Sequence, residues 1–153
     1  AFAGEAAQLG HELRGSEVMA VLSGAVRPAM VSALDRLKAE GFALGCITNN
    51  MRTPDYPADG MLSDERLGPI FRRFDQVVES ALTGLRKPDP RIYALACERL
   101  GVVAEQCVYL DDLGINCKPA AAMGMRAIKV TSAQQALSEL GEILEVGFLQ
   151  SKP

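Results

Sequence analysis

The sequence predicts an α/β fold: a three-layer, Rossmann-like, mostly parallel sheet with helices on both faces. Three observations predict it. Short apolar stretches alternate with amphipathic ones from about residue 27 to residue 144, the pattern of strands alternating with helices. Strands joined through helices need crossover connections, which give parallel pairing with both faces covered. Several of the apolar stretches also end abruptly on polar groups, as in "CITNN" and "VYLDD", and parallel sheets of this kind place their ligand sites beyond the carboxyl ends of the strands.

The elements follow in order. "RPAMVSALDRLKAEG" (27–41) is a helix: Pro28 suits the first turn, Val31, Leu34 and Leu37 recur at helical spacing, and Gly41 ends it. "FALGCIT" (42–48) is an apolar strand. "DERLGPIFRRF" (64–74) reads as a short helix weakened by Gly68-Pro69, and "DQVVES" (75–80) as a strand. "DPRIYALACERLG" (89–101) is a helix with Asp89 as N-cap and Pro90 behind it. "CVYL" (107–110) is a strand, "INCKPAAAMG" (115–124) a short helix interrupted by Pro119, "RAIKV" (126–130) a strand, and "SAQQALSELGEIL" (132–144) a closing amphipathic helix.

Composition narrows the function. A chain of 153 residues with a formal net charge of -3 suggests one domain and argues against a nucleic-acid surface. No apolar run approaches the ~20 residues of a membrane helix, and the first ten residues lack a signal-peptide pattern. The sequence does not begin with Met, so an upstream start is expected. The four cysteines, Cys46, Cys97, Cys107 and Cys117, form no C-x-x-C pair, and His11 is the one histidine, read as a solvated loop or helix-end residue. Zinc is therefore not expected, and free thiols in an acidic chain point to the cytoplasm.

The strand ends carry the chemistry. Thr48, Asn49 and Asn50 follow the first strand, Lys87 follows the second, Asp111 and Asp112 follow the third, and Thr131 and Ser132 follow the fourth. Adjacent carboxylates repel, so a pair is best tolerated beside a positive charge, either a bound cation or a lysine. A hydroxyl, a lysine and paired carboxylates on one sheet edge suit a phosphate and a divalent cation. Thr48 and backbone N–H groups can donate to phosphate oxygens, Lys87 can neutralise them, and an Asp can hold Mg²⁺.

"GCITNN", "GLRKPDPRIY" and "VYLDDLGINCKPAAAMGMRAIKV" resemble the second, third and fourth motifs of the haloacid dehalogenase superfamily, in the branch that contains the N-terminal phosphatase domain of soluble epoxide hydrolase. The likeness runs from about Arg27 to the last helix. It implies a Mg²⁺-dependent phosphatase acting on a small phosphorylated organic substrate through an aspartyl-phosphate. It implies that Thr48 and Asn49 line the phosphate pocket and that Lys87 holds nucleophile and phosphate in place. By the same likeness Asp112 is the Mg²⁺ ligand, Asp111 its partner as a further ligand or a support, and Asn116 a supporting polar group.

One departure matters. The superfamily's first motif, D-x-D-G, carries the nucleophile and the general acid/base, and no such motif occurs here. In the family that strand is central, between the strands at 42–48 and 107–110. Its loss would leave facing edges unpaired, at on the order of 1–3 kcal/mol per unpaired buried group. The expectation is a longer protein in which residues 1–26 are the end of a helical cap and 27–153 the core without its first strand. The alternatives are an inactive fragment or binding domain and, more remotely, a phospho-acceptor receiver domain, whose motif order differs. A dehalogenase is disfavoured because that branch does without the metal. Arg52, in the loop "NMRTPDYPADGML" (50–62), is read as solvated rather than substrate-binding. A homodimer through open sheet edges is possible, and no partner nucleic acid or membrane is expected.

Overall fold

A computed structural model describes residues 26–52 and 54–147. The expected cap remnant and His11 lie almost wholly outside these residues. In chain order the elements are α1 (Pro28–Ala39), β1 (Gly45–Thr48), a 3-10 turn (Gly60–Ser63), α2 (Gly68–Phe71), β2 (Gln76–Glu79), α3 (Ser80–Thr83), α4 (Pro90–Leu100), a second 3-10 turn (Ala104–Gln106), β3 (Val108–Asp111), α5 (Gly114–Ala122), β4 (Arg126–Lys129) and α6 (Ala133–Leu144).

The helix ends form where the sequence places them. Asp89 accepts a hydrogen bond from the Arg91 N–H at 2.9 Å with Pro90 in the first turn, and α4 closes on Gly101 at φ 68°. Ser132 and Gln135 form a reciprocal capping box at the start of α6. The stretch 64–74 is shorter than expected: Asp64 Oδ1 caps the N–H groups of Arg66 and Leu67, and only Gly68–Phe71 is α-helical. Pro119 does not interrupt its helix. α5 runs from Gly114 to Ala122 with Pro119 inside. The carbonyl that loses its donor belongs to Ile115, which is 61% exposed, so water can satisfy it. The short helix α3 directly after β2 was not expected.

The α/β architecture is the expected one, with a notable division. β1 pairs with β2 in parallel, Thr48 opposite Glu79, and β3 pairs with β4 in parallel, Asp111 opposite Lys129. Among the described residues β1 and β3 do not pair with each other, so the strands form two two-stranded sheets. Helices hold these halves together from both faces. α1 packs on α6 around Ala33, Leu37, Leu44, Ile128 and Leu140. On the other face α4 covers β1 and β2, α5 covers β3 and β4, and the two helices meet around Val78, Ile92, Tyr93, Ala96 and Ala120.

Between the halves lies an apolar cavity of about 460 Å³. Leu37 of α1, Cys46 and Ile47 of β1, Leu100 of α4, Leu110 of β3 and Leu140 of α6 are among its walls. It therefore runs between the inner edges of β1 and β3 and between the two helical layers. Apolar side chains face an unfilled volume there, which forfeits their packing.

Candidate active site

The carboxyl ends of the two half-sheets are joined by one side chain. Lys87 lies in the loop between α3 and α4, and its Nζ donates to Asp111 Oδ2 at 2.8 Å. Both side chains are largely buried, at 14% and 5% exposure. The loop itself is fastened to the end of β1. Asn49 Nδ2 donates to the Lys87 carbonyl at 2.9 Å, and the Lys87 N–H donates to Asn49 Oδ1 at 2.8 Å. Lys87 thus links the residue after β1 to the last residue of β3.

Asp111 is fully engaged. Beyond Lys87, its Oδ2 accepts from the Tyr109 hydroxyl at 2.7 Å. Its Oδ1 accepts from the Leu113 N–H and from Asn116 Nδ2, each at 2.9 Å. Burial pushes this carboxyl up, but Lys87, Tyr109, the Leu113 N–H and Asn116 together outweigh it and hold the group below the usual carboxylate range. Tyr109 and Asp111 share one face of β3 because strand side chains alternate. Asn116, buried at 4% exposure, is set by the Tyr93 hydroxyl, which donates to its carbonyl at 2.8 Å. The Tyr93 and Tyr109 rings meet edge to face at 5.2 Å.

Asp112 differs from its neighbour. It is exposed, and its carboxylate makes no hydrogen bond or ion pair among the described residues. The Thr48 hydroxyl is likewise unused there, at the end of β1. The two adjacent carboxylates at the end of β3 are thus divided, one held internally by a lysine and one without a partner among the described residues. Among the described residues no group of three or more His, Cys, Asp or Glu side chains converges on a common point. One free carboxylate beside an engaged one is a donor set that fits Mg²⁺, which takes one or two carboxylates and completes its shell with water and phosphate oxygens.

Two features escaped the sequence reading. Tyr109 reads in the sequence as a strand residue, yet its hydroxyl donates to Asp111. Glu79, 2% exposed, was not singled out although it ends β2 as Asp111 ends β3. The signal that marks Asp111, a carboxylate closing an apolar strand, also marks Glu79 in "QVVES". Arg52 is exposed.

Comparison with known proteins identifies the family. Residues 3–124 match the family described as haloacid dehalogenase-like hydrolase. The chain is 39% identical over 118 residues to mouse acyl-CoA dehydrogenase family member 10, covering 76% of this chain and 10% of that protein. It is 33% identical over 133 residues to rat bifunctional epoxide hydrolase 2, covering 87% of this chain and 23% of that protein. It therefore spans less than a quarter of the length of either. Relatives named as phosphatases are 31–33% identical. A solved structure of a HAD phosphatase from Thermococcus onnurineus superposes with a TM-score of 0.60 at 26% identity, covering 78% of this chain and 58% of that one.

Proposed function

Because the chain belongs to the haloacid dehalogenase-like hydrolase family, we propose that it forms most of the core of a Mg²⁺-dependent phosphatase acting on a small organic phosphate. One observation carries the proposal: Lys87 joins the carboxyl ends of two half-sheets whose inner edges face each other across an apolar slot. A parallel strand seated in that slot would pair with both edges and deliver its carboxyl end beside Lys87, Thr48 and Asp112. The nucleophilic aspartate is assigned to such a strand, in a segment outside the present sequence.

The reaction is an in-line transfer. The aspartate oxygen bonds to phosphorus as the bond to the substrate alcohol breaks, and the alcohol leaves with a proton from an acid on the same strand. Water, giving its proton to the conjugate base of that acid, then attacks phosphorus, and the phosphorus–aspartate bond breaks to free inorganic phosphate and the carboxylate. The chain's own residues prepare this step. Thr48 donates a hydroxyl to the phosphoryl oxygens. Lys87 keeps two ammonium N–H groups for nucleophile and phosphate while its third holds Asp111. Asn49 fixes the backbone of Lys87, and Asp111 with Asn116 fixes its ammonium. Asp112 would hold Mg²⁺, which neutralises charge on the phosphoryl group. The cytoplasm is the proposed setting, supported by four free cysteines. No helix among the described residues is long and apolar enough to cross a membrane.

The test is phosphate release from para-nitrophenyl phosphate by the full-length protein, with and without Mg²⁺. Mg²⁺-dependent turnover that is lost in Lys87→Met supports the proposal. Turnover independent of Mg²⁺ rejects it. Binding of phosphate and Mg²⁺ without turnover assigns the chain to a binding domain instead.

A further inference from the structure

A second buried carboxylate sits at the same sheet edge and has no part in the reaction above. Glu79 ends β2 and is 2% exposed. Its partners are all neutral donors, and all come from the loop that leaves β1. Asn50 Nδ2 donates to Oε2 at 2.5 Å, the Tyr56 hydroxyl donates to the same oxygen, and the Met61 N–H donates to Oε1 at 2.9 Å. A Cβ at Gly60, which lies at φ +60°, would come within 2.1 Å of Oε1. The loop therefore closes around the carboxylate with no room to spare.

Asn50 extends the attachment. Its Oδ1 accepts from the Ala81 N–H at 2.9 Å, and its N–H donates to Ser80 Oγ at 2.8 Å. The Ser80 hydroxyl in turn donates to the Asn50 carbonyl at 2.7 Å. Points near the start, middle and end of the 50–62 loop thus converge on the end of β2.

Stability alone would be better served by an apolar side chain, because burying a carboxylate without a cation is costly even when it is hydrogen-bonded. What three separated donors on one acceptor supply is a single loop shape. That loop begins one residue after Asn49, the residue that holds Lys87, and Met51, at 66% exposure, and the exposed Arg52 are among its first residues.

We propose that Glu79, through Tyr56 and Asn50, is a positioning residue that sets the shape of the loop following Asn49 and thereby which organic group attached to the phosphate is admitted. The inference rests on the phosphatase reading. It assigns the loop to the organic group and leaves the phosphate to Thr48, Lys87 and Asp112.

The experiment uses the full-length protein with Mg²⁺, as wild type, Tyr56→Phe and Glu79→Gln. It measures amide hydrogen exchange across residues 50–62 and the dissociation constants of inorganic phosphate and of phenylphosphonate, a non-hydrolysable ester mimic. Loss of one anchoring hydrogen bond is expected to speed exchange in the loop and to weaken phenylphosphonate by roughly fivefold, with inorganic phosphate changed by less than about twofold. Tyr56→Phe keeps the ring, so its effect reports the hydroxyl even if Glu79→Gln folds poorly. Unchanged exchange, or equal weakening of both anions, overturns this assignment alone. A wild-type protein that binds neither anion overturns the phosphatase reading and this assignment with it.

Discussion

Lys87 Nζ and Asp111 Oδ2 stand 2.8 Å apart at 14% and 5% side-chain exposure, and this contact joins the loop after β2 to the end of β3. Removing one partner strands the other charge. Lys87→Met is expected to destabilise the protein by about 3 kcal/mol, the usual cost of leaving a buried charge unpaired. Adding Asp111→Asn should recover part of that loss. A double-mutant cycle by urea unfolding measures the coupling; additive effects would show that the contact is not energetically real.

Asp112 is expected to separate function from stability. It is exposed and without a partner among the described residues, so Asp112→Asn should change unfolding free energy by no more than about 0.5 kcal/mol. Mg²⁺-dependent turnover should fall by at least about a hundredfold, at the upper end of the losses seen around metal sites. Comparing a urea melt with phosphate release at several Mg²⁺ concentrations checks both halves.

Gly60 should tolerate no side chain. Its φ of +60° disfavours any Cβ, and the added methyl would meet Glu79 Oε1 at 2.1 Å. Gly60→Ala is expected to cost about 2 kcal/mol or more, from backbone strain plus displacement of a buried carboxylate. Gly84 also has positive φ, at +72°, but faces open space, so Gly84→Ala should cost about 1 kcal/mol from strain alone. The difference between the two melting curves isolates the contact with Glu79.

Asp75 predicts a pH dependence. Lys38, the largest influence, and the Leu44 N–H at 2.9 Å hold its carboxyl below the usual range. A folded-state value below the unfolded one means that the stabilisation is complete above the unfolded value, near pH 3.9, and is lost as pH falls through the folded value. In Asp75→Asn that acid-side loss should shrink, and neutral-pH stability should drop by about 1 kcal/mol through the hydrogen bond to Leu44. Unfolding curves from pH 7 to pH 2 give the comparison.

Much of this was legible before any coordinates. The alternation of apolar and amphipathic stretches is local information, and hydrophobic periodicity with Pro, Gly and Asp at the ends dictates helices and strands directly. The candidate residues Thr48, Lys87 and Asp111–Asp112 could be read because charged and hydroxyl groups ending apolar strands stand out against their surroundings. What the residues could not show is which atoms meet. The division between Asp111, held by four donors, and Asp112, left free, depends on Lys87 arriving from 24 residues away, while Tyr109, the Leu113 N–H and Asn116 come from the same stretch as Asp111. The burial of Glu79 depends in the same way on a loop folding back over 29 residues of separation from Asn50. The slot between β1 and β3 exists only once helices from both ends of the described chain close over it. A strand pattern fixes which faces of a residue are apolar, because that alternation is built into the backbone. Which edges remain open, and which of two neighbouring carboxylates is neutralised from within, is decided by long-range contacts that no local stretch contains.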